Sequence, residues 1–124
     1  MIRVLVVDDE VSIRDIIKHY MTSHFEAEVV EADSGELAIM KIKEFQDLEL
    51  VLCDYRMPNG DGGAVYKFIK ESGLKIPYIM MSTDPPERYP VFEGIYTENV
   101  KNSFLPKPFR KDLLIKTLEK ALNK

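Results

Sequence analysis

The chain has 124 residues, of which 45% are hydrophobic, and a formal net charge of −4. This length and apolar content fit one domain over residues 1–124 with a sizeable core. The negative charge argues against an intrinsic surface for nucleic acids or anionic membranes. No segment approaches the roughly 20 apolar residues that span a bilayer, and the first residues lack the pattern of a signal peptide. The single cysteine, Cys53, excludes an internal disulfide framework and favours a reducing compartment, which we expect to be the cytoplasm.

The first third of the chain alternates between strand-like and helix-like patterns. Residues 2–7, which contain the apolar run Val4–Val7, predict a strand, and residues 11–22 carry apolar side chains at helical spacing. Residues 27–32 predict a second, weaker strand that contains charged residues. This alternation is typical of β-α-β units.

The middle of the chain continues the alternation. Asp33 and Glu36 stand three residues apart, as in a capping box, and predict a second helix that runs through Phe45. Residues 50–53 are fully apolar and predict a third strand. Residues 55–63 contain proline, asparagine and three glycines, so they predict a loop.

The second half of the chain repeats the pattern with one exception. Apolar spacing predicts a third helix over residues 65–73 and a closing helix over residues 113–122. Residues 78–81 and 103–106 predict the fourth and fifth strands. The segment between those two strands does not predict a regular helix.

Residues 84–102 occupy the place of a fourth helix but contain Pro85, Pro86, Pro90 and Gly94. A proline inside a helix costs about 3 kcal/mol. We therefore expect a short, displaced or mobile helix here, beginning after Pro90 if it forms at all.

The alternation predicts an α/β fold with a doubly wound parallel sheet and right-handed crossovers. The first, third and fourth strands are fully apolar, as expected of central strands covered on both faces. The second and fifth strands are charged or shorter, which suits the edges of the sheet. Both facts are satisfied by the strand order 2-1-3-4-5, which is the flavodoxin-like arrangement of five parallel strands.

Polar side chains stand directly after the predicted strands. Asp8 and Asp9 follow the first strand, Asp54 the third, Ser82 the fourth and Lys107 the fifth. The carboxyl ends of parallel strands meet at one edge of the sheet, where open α/β sheets bind ligands. We therefore expect these five side chains to lie close together.

The three aspartates offer the oxygen ligands that Mg²⁺ prefers, and Mn²⁺ fits the same donors. Asp8 and Asp9 leave the strand in different directions, so we expect one to bind the ion directly and the other through water. The pair could instead simply cap the next helix. That alternative weakens because Asp54 ends a second central strand.

Asp54 is the candidate nucleophile, because a carboxylate can accept a phosphoryl group to form an acyl phosphate. Crowding with Asp8 and Asp9 would raise its pKa unless a cation balances the charge. Lys107 can pair with Asp54 at rest and with a phosphoryl oxygen afterwards, and Ser82 can donate a hydrogen bond to such an oxygen. The plainer alternatives are an aspartate that only binds metal, a solvated turn lysine and a serine bonded to the backbone.

At these positions the sequence resembles the receiver domains of two-component response regulators, in particular single-domain regulators of the chemotaxis type. The resemblance extends from residue 2 to about residue 122. The blocks that carry it are Asp8-Asp9, residues 54–62, residues 77–82 and residues 104–109. Each block is weak alone, but their order and their places at strand ends make the set specific.

This resemblance implies a function in a phosphorelay. A histidine kinase or histidine phosphotransfer protein would transfer a phosphoryl group to Asp54 in an Mg²⁺-dependent reaction. Phosphorylation would switch a binding surface near residues 84–104 for an unknown downstream protein. The chain would accept and lose the phosphoryl group itself and would not be an enzyme that acts on a separate substrate.

The resemblance also implies a role for each residue near the metal. Asp54 would be the phosphoacceptor and one of the metal ligands. Asp9 would bind Mg²⁺ directly and Asp8 more indirectly. Arg56 would supply its backbone carbonyl to the ion.

Further roles follow from the same resemblance. Ser82 would be the switch hydroxyl that closes on the phosphoryl group, and Lys107 would contact that group. Phe104 would be the aromatic switch that turns inward as the hydroxyl moves, although an aromatic residue on an edge strand is also commonly part of the core. The Lys107–Pro108 peptide bond would be cis.

The sequence departs from the family pattern beside Ser82. Thr83 stands where similar domains usually carry alanine or glycine, and its larger side chain could narrow access to Asp54. Asp84, together with Arg56, could form a lid over the site. Our hypothesis is that these three residues tune the lifetime of the phosphoryl group and the choice of small-molecule donor.

Two other functions remain open from the sequence. A degenerate receiver would bind partners without phosphorylation, although the complete set of acids, hydroxyl and lysine argues against it. An Mg²⁺-dependent phosphatase of the haloacid-dehalogenase type would carry a second aspartate two residues after its nucleophile, where this chain has Arg56. Whether the receiver stands alone or belongs to a longer protein is not decided by the sequence.

Overall fold

The computed structural model describes residues 1–124. Five β-strands form one parallel sheet in the order β2-β1-β3-β4-β5, which confirms the predicted order and both predicted edge strands. The strands are β1 (Ile2–Val7), β2 (Ala27–Ala32), β3 (Leu48–Asp54), β4 (Tyr78–Ser82) and β5 (Ser103–Pro106). The strand β3 is longer than predicted and includes Asp54, so the sheet itself fixes the backbone of this residue.

Five helices cover the two faces of the sheet. They are α1 (Val11–His24), α2 (Gly35–Glu44), α3 (Gly62–Glu71), α4 (Ile95–Glu98) and α5 (Lys111–Leu122). None of them combines the length and the apolar character that crossing a bilayer requires. The fold is the predicted flavodoxin-like α/β arrangement.

The capping box predicted for α2 is wrong. Ser34 is the N-cap, and its hydroxyl oxygen accepts a hydrogen bond from the backbone N–H of Leu37 at 3.1 Å. Glu36 therefore lies at the second helical position, one residue short of the place that a capping box requires. Asp33 lies before the cap, because the side chain of Ser34 satisfies the free backbone N–H group of Leu37.

Each strand sends alternate side chains into two separate cores. Val4 and Val6 of β1 point to the face that α1 and α5 cover, whereas Leu5 and Val7 point to the face under α2 and α3. All four are fully buried. Burial of a side chain of this size contributes about 1.5–3 kcal/mol, so the two cores hold the strands in register and place their carboxyl ends together.

The structure of residues 84–102 confirms the prediction of a short helix that begins after Pro90. Two 3₁₀ turns, Pro86–Arg88 and Pro90–Phe92, come first, and α4 then forms a single turn. Each 3₁₀ turn begins with proline, whose missing N–H costs nothing at that position. We call residues 84–94, which replace most of a regular fourth helix, the strap.

Aromatic packing fixes the strap to the body of the domain. The ring of Phe92 is 2% exposed and lies 5.9 Å from Tyr55, 5.4 Å from Tyr66 and 6.0 Å from Tyr78, measured between ring centroids. These are ordinary separations for interacting aromatic rings. The strap therefore belongs to the core under α3.

Candidate functional site

Three of the predicted side chains meet at the carboxyl edge of the sheet. The Nζ atom of Lys107 lies 2.8 Å from Asp8 Oδ2 and 3.2 Å from Asp54 Oδ1. Asp8 is fully buried, and the side chain of Asp54 is 9% exposed. The ends of β1, β3 and β5 thus place two carboxylates around one ammonium group.

The backbone N–H and both carboxylate oxygens of Asp8 form hydrogen bonds with the protein. Its backbone N–H donates to Ala32 O at 3.1 Å, and its Oδ1 atom accepts from the backbone N–H of Glu10 at 2.9 Å. Its other carboxylate oxygen is bound to Lys107. The carboxylates of Asp9 and Glu10, in contrast, are exposed at the mouth of the site.

The acidic oxygens of Asp8, Asp9 and Glu10 lie within 4.8 Å of one another. Oxygen donors of this kind suit a hard divalent cation. Asp54 is not a member of this close group. Glu10 was missed by the sequence argument because an acid at the start of a helix is common there for its charge alone; the run of three acids was the available signal.

Burial, followed by the charge of Asp8, raises the pKa of Asp54 to about 6, although Lys107 acts in the opposite direction. Burial lowers the pKa of Lys107, but its hydrogen bond to Asp8 and the charges of both aspartates outweigh burial, so the pKa lies above its ordinary value. The site therefore holds more negative charge than its single lysine neutralises. A divalent cation fits this excess.

The loop after β3 packs tightly on the phosphoacceptor candidate. The backbone N–H of Gly62 donates to Tyr55 O at 2.9 Å, and Tyr78 Oη donates to Gly62 O at 2.8 Å. A Cβ atom at position 62 would lie 2.7 Å from the carbonyl oxygen of Asp54. Glycine is required here because α3 begins directly against the end of β3.

Ser82 ends β4 beside the lysine. Its side chain is buried, and its Oγ atom accepts a hydrogen bond from the backbone N–H of Asp84 at 3.1 Å. Its carbonyl oxygen accepts from the backbone N–H of Lys107 at 2.8 Å, so β4 and β5 fix both residues together. Thr83 follows as an exposed residue.

The residues predicted to form a lid are near one another. Arg56 Nη2 lies 3.7 Å from Asp84 Oδ2, and Arg88 lies 3.9 Å from the other oxygen of the same carboxylate. Tyr89 donates a hydrogen bond from Oη to Asp84 Oδ2 at 3.1 Å, and its ring stacks on Tyr55. Sequence reasoning missed both tyrosines, since no local pattern pairs residues so far apart in the chain.

Phe104 is half-buried on β5, where it pairs in register with Met80 and packs against the core under α3. A shallow groove on its outer side is lined by the exposed Tyr96, Val100 and Leu113. The Lys107–Pro108 peptide bond is cis, as the resemblance implied.

The sequence and the fold are similar to those of known proteins. The chemotaxis protein CheY of Bacillus subtilis is 32% identical over 121 residues, which are 98% of both chains. The transcriptional regulatory protein ZraR of Escherichia coli K12 is 37% identical over 98% of this chain, and the match spans 26% of ZraR. A protein-glutamate methylesterase/protein-glutamine glutaminase from Nocardioides is 40% identical over 66% of this chain, and that match spans 22% of its length.

Solved structures agree with the sequence relatives. The chemotaxis response regulator CheY4 of Vibrio cholerae superposes with a TM-score of 0.83, at 28% identity, over 98% of this chain and 99% of CheY4. The family model for the response regulator receiver domain matches residues 4–119. These matches cover nearly the whole chain, which therefore belongs to the family of response regulator receiver domains.

Proposed function

We propose that Asp54 accepts a phosphoryl group from the phosphohistidine of a histidine kinase or histidine phosphotransfer protein. The observation that carries this proposal is the placement of Asp54 and Asp8 on either side of Lys107 in a mostly buried site. A cation close to a carboxylate that is crowded by a second acid stabilises the charged form of that carboxylate, and Lys107 is such a cation here.

The transfer of the phosphoryl group is a simple displacement at phosphorus. A carboxylate oxygen of Asp54 forms a bond to phosphorus, and the bond between phosphorus and the donor's imidazole nitrogen breaks. The electron pair leaves with the imidazole, which takes up a proton from solvent. Lys107 Nζ already lies 3.2 Å from Asp54 and can contact a phosphoryl oxygen without a large movement.

Receiver domains generally bind Mg²⁺ through an acidic cluster, and we propose that Asp8, Asp9, Asp54 and the backbone carbonyl of Arg56 hold it here, with Mn²⁺ as a substitute. When bound, the ion neutralises the acidic charge and that of the incoming phosphoryl group. Asp8 already bonds Lys107 and Glu10 through its two oxygens, which favours an indirect role for Asp8 and direct ligation by the exposed Asp9.

Ser82 and Phe104 form the proposed switch. The Ser82 hydroxyl donates to a phosphoryl oxygen on Asp54, and Phe104 then rotates inward. Its half-buried position next to the groove at Tyr96 makes this rotation a change of shape in the surface near residues 84–104. Phosphorylation thereby alters the affinity of that surface for a downstream protein.

We propose that Thr83, Asp84 and Arg56 restrict access to the acyl phosphate and so set its lifetime. The ion pair between Arg56 and Asp84 bridges the loops that leave β3 and β4. The domain acts on itself, in the cytoplasm, by accepting and losing one phosphoryl group. Histidine-containing donors and a downstream effector are its partners.

The test is intact-protein mass after incubation with Mg²⁺ and acetyl phosphate, for the wild type and Asp54→Asn. We expect a labile gain of one phosphoryl group in the wild type and none in the variant. A purified phosphohistidine protein serves as a second donor. No gain from either donor would overturn the proposal and point to a receiver that binds without phosphorylation.

A further inference from the structure

Asp84 connects the Ser82 hydroxyl to the strap. Its backbone N–H donates to Ser82 Oγ at 3.1 Å, and its carboxylate oxygen Oδ2 accepts from Tyr89 Oη at 3.1 Å. Two hydrogen bonds on one residue therefore join the buried Ser82 at the end of β4 to Tyr89, seven residues further along the chain.

Tyr89 is the firmly held partner of Asp84. The guanidinium groups of Arg56 and Arg88 also approach Asp84, but their side chains are 74% and 70% exposed. Exposed pairs of this kind contribute about 0–1 kcal/mol. The ring of Tyr89, in contrast, stacks on Tyr55 with 3.9 Å between centroids and 22° between planes.

The backbone of the strap fixes Tyr89 further. Its N–H donates to Pro86 O at 3.0 Å, and its carbonyl accepts from the N–H of Phe92 at 3.1 Å. The buried ring of Phe92 meets the Tyr89 ring edge-on at 6.3 Å. The backbone and the ring of Tyr89 are thus both held in place, and this fixes the position of its hydroxyl beside Asp84.

We propose that Tyr89 is a positioning residue for the phosphorylation of Asp54 and acts through Asp84 on Ser82. The Ser82 oxygen accepts from the Asp84 N–H, so its own proton stays free to donate to a phosphoryl oxygen. By holding the Asp84 carboxylate, Tyr89 holds the peptide that carries this N–H. The inference rests on the proposed function, since it concerns the hydroxyl that contacts the phosphoryl group.

The experiment measures the rate at which acetyl phosphate and Mg²⁺ phosphorylate the wild type, Tyr89→Phe and Tyr66→Phe, followed by intact mass. Tyr89→Phe keeps the ring that stacks on Tyr55 and removes only the hydroxyl. We expect its rate to fall about threefold to tenfold, the range for loss of one hydrogen bond. Tyr66 lies in the same aromatic cluster, but its buried hydroxyl has no partner, so Tyr66→Phe should keep the wild-type rate.

The same comparison in a Ser82→Ala background separates positioning from a general loss of packing. If Tyr89 acts through the Ser82 hydroxyl, Tyr89→Phe should cause no further slowing once that hydroxyl is gone. Equal slowing in both backgrounds would overturn the inference, as would equal rates for the wild type and Tyr89→Phe. Failure of the wild type to take up a phosphoryl group from acetyl phosphate and from a purified phosphohistidine protein would overturn the proposed function and this inference together, whereas the other outcomes leave the proposed function standing.

Discussion

Lys107 binds Asp8 more closely than it binds Asp54, at 2.8 Å against 3.2 Å. The fully buried Asp8 therefore anchors the ammonium group, and Asp54 shares it at a longer distance. A phosphoryl group arriving on Asp54 can take up that shared contact while the bond to Asp8 remains. This arrangement positions the lysine for the charged product before the reaction begins.

Lys107→Gln should remove the only ammonium group that contacts both acids. Without it, the pKa of Asp54 should rise further above its ordinary value, and the free energy of unfolding at pH 7 should fall by about 1–3 kcal/mol, because two carboxylates remain close together in a mostly buried site. Urea unfolding in the absence of divalent ions measures the change. The exposed Lys67 provides the matched control, and a loss for Lys67→Gln as large as that for Lys107→Gln would contradict the account.

Asp54→Asn should stabilise the metal-free protein at pH 7. The Asp54 pKa of about 6, against 3.8 ordinarily, is worth at most about 3 kcal/mol, and solvent at the open side of the site reduces this to about 1–2 kcal/mol. An equal or lower urea midpoint at pH 7 for the variant would contradict the prediction.

The pH dependence of stability has a definite sign for the same residue. Between about pH 4 and pH 6 the folded protein keeps the Asp54 proton that the unfolded chain has lost, so the contribution of this group to stability falls as pH rises through that window. We expect the stability difference between Asp54→Asn and the wild type to grow across the window. A difference that stays constant from pH 4 to pH 7 would exclude the raised pKa.

Mg²⁺ binding should depend on Asp9 more than on Glu10. Both carboxylates are exposed and close to Asp8, but the family resemblance assigns direct ligation to Asp9. We expect Asp9→Asn to weaken Mg²⁺ affinity by at least about tenfold and Glu10→Gln by about twofold to threefold, as loss of a ligand exceeds loss of a nearby charge. The rise in melting temperature with Mg²⁺ concentration reports the affinity. The remote Glu26→Gln is the control, and a larger effect for Glu10→Gln would reassign the ligand.

Phe92→Ala should cost about 3–5 kcal/mol of stability, because the ring is almost fully buried among four tyrosines. Thermal and urea unfolding measure the loss. Tyr96, 45% exposed on the neighbouring turn, offers a comparison, and Tyr96→Ala should cost less than about 1 kcal/mol. Similar small losses for both variants would mean that the strap is not part of the core.

The sheet and its polar edge were predictable because they follow from simple periodicities. Fully apolar runs identified β1, β3 and β4 as central strands, and each run ends in a residue that the structure brings to the site. Once the strand order is set, parallel geometry places these ends together without further information.

Other features depend on contacts that no local pattern specifies. Asp33 and Ser34 both suit a helix cap, and only the backbone geometry selects the serine. The proline-rich strap was recognised as irregular, but the stacking of Tyr89 on Tyr55 joins residues that are 34 positions apart in the sequence. Such packing is decided by tertiary structure.

The most direct test of the central claim is to locate the phosphoryl group on the chain. Reduction of the acyl phosphate with borohydride after treatment with Mg²⁺ and acetyl phosphate converts the modified aspartate to homoserine, which peptide mass spectrometry can place. The account predicts homoserine at position 54 and at no other aspartate. Homoserine at Asp8 or Asp9, or none in a protein that binds Mg²⁺, would contradict the assignment of Asp54 as the phosphoacceptor.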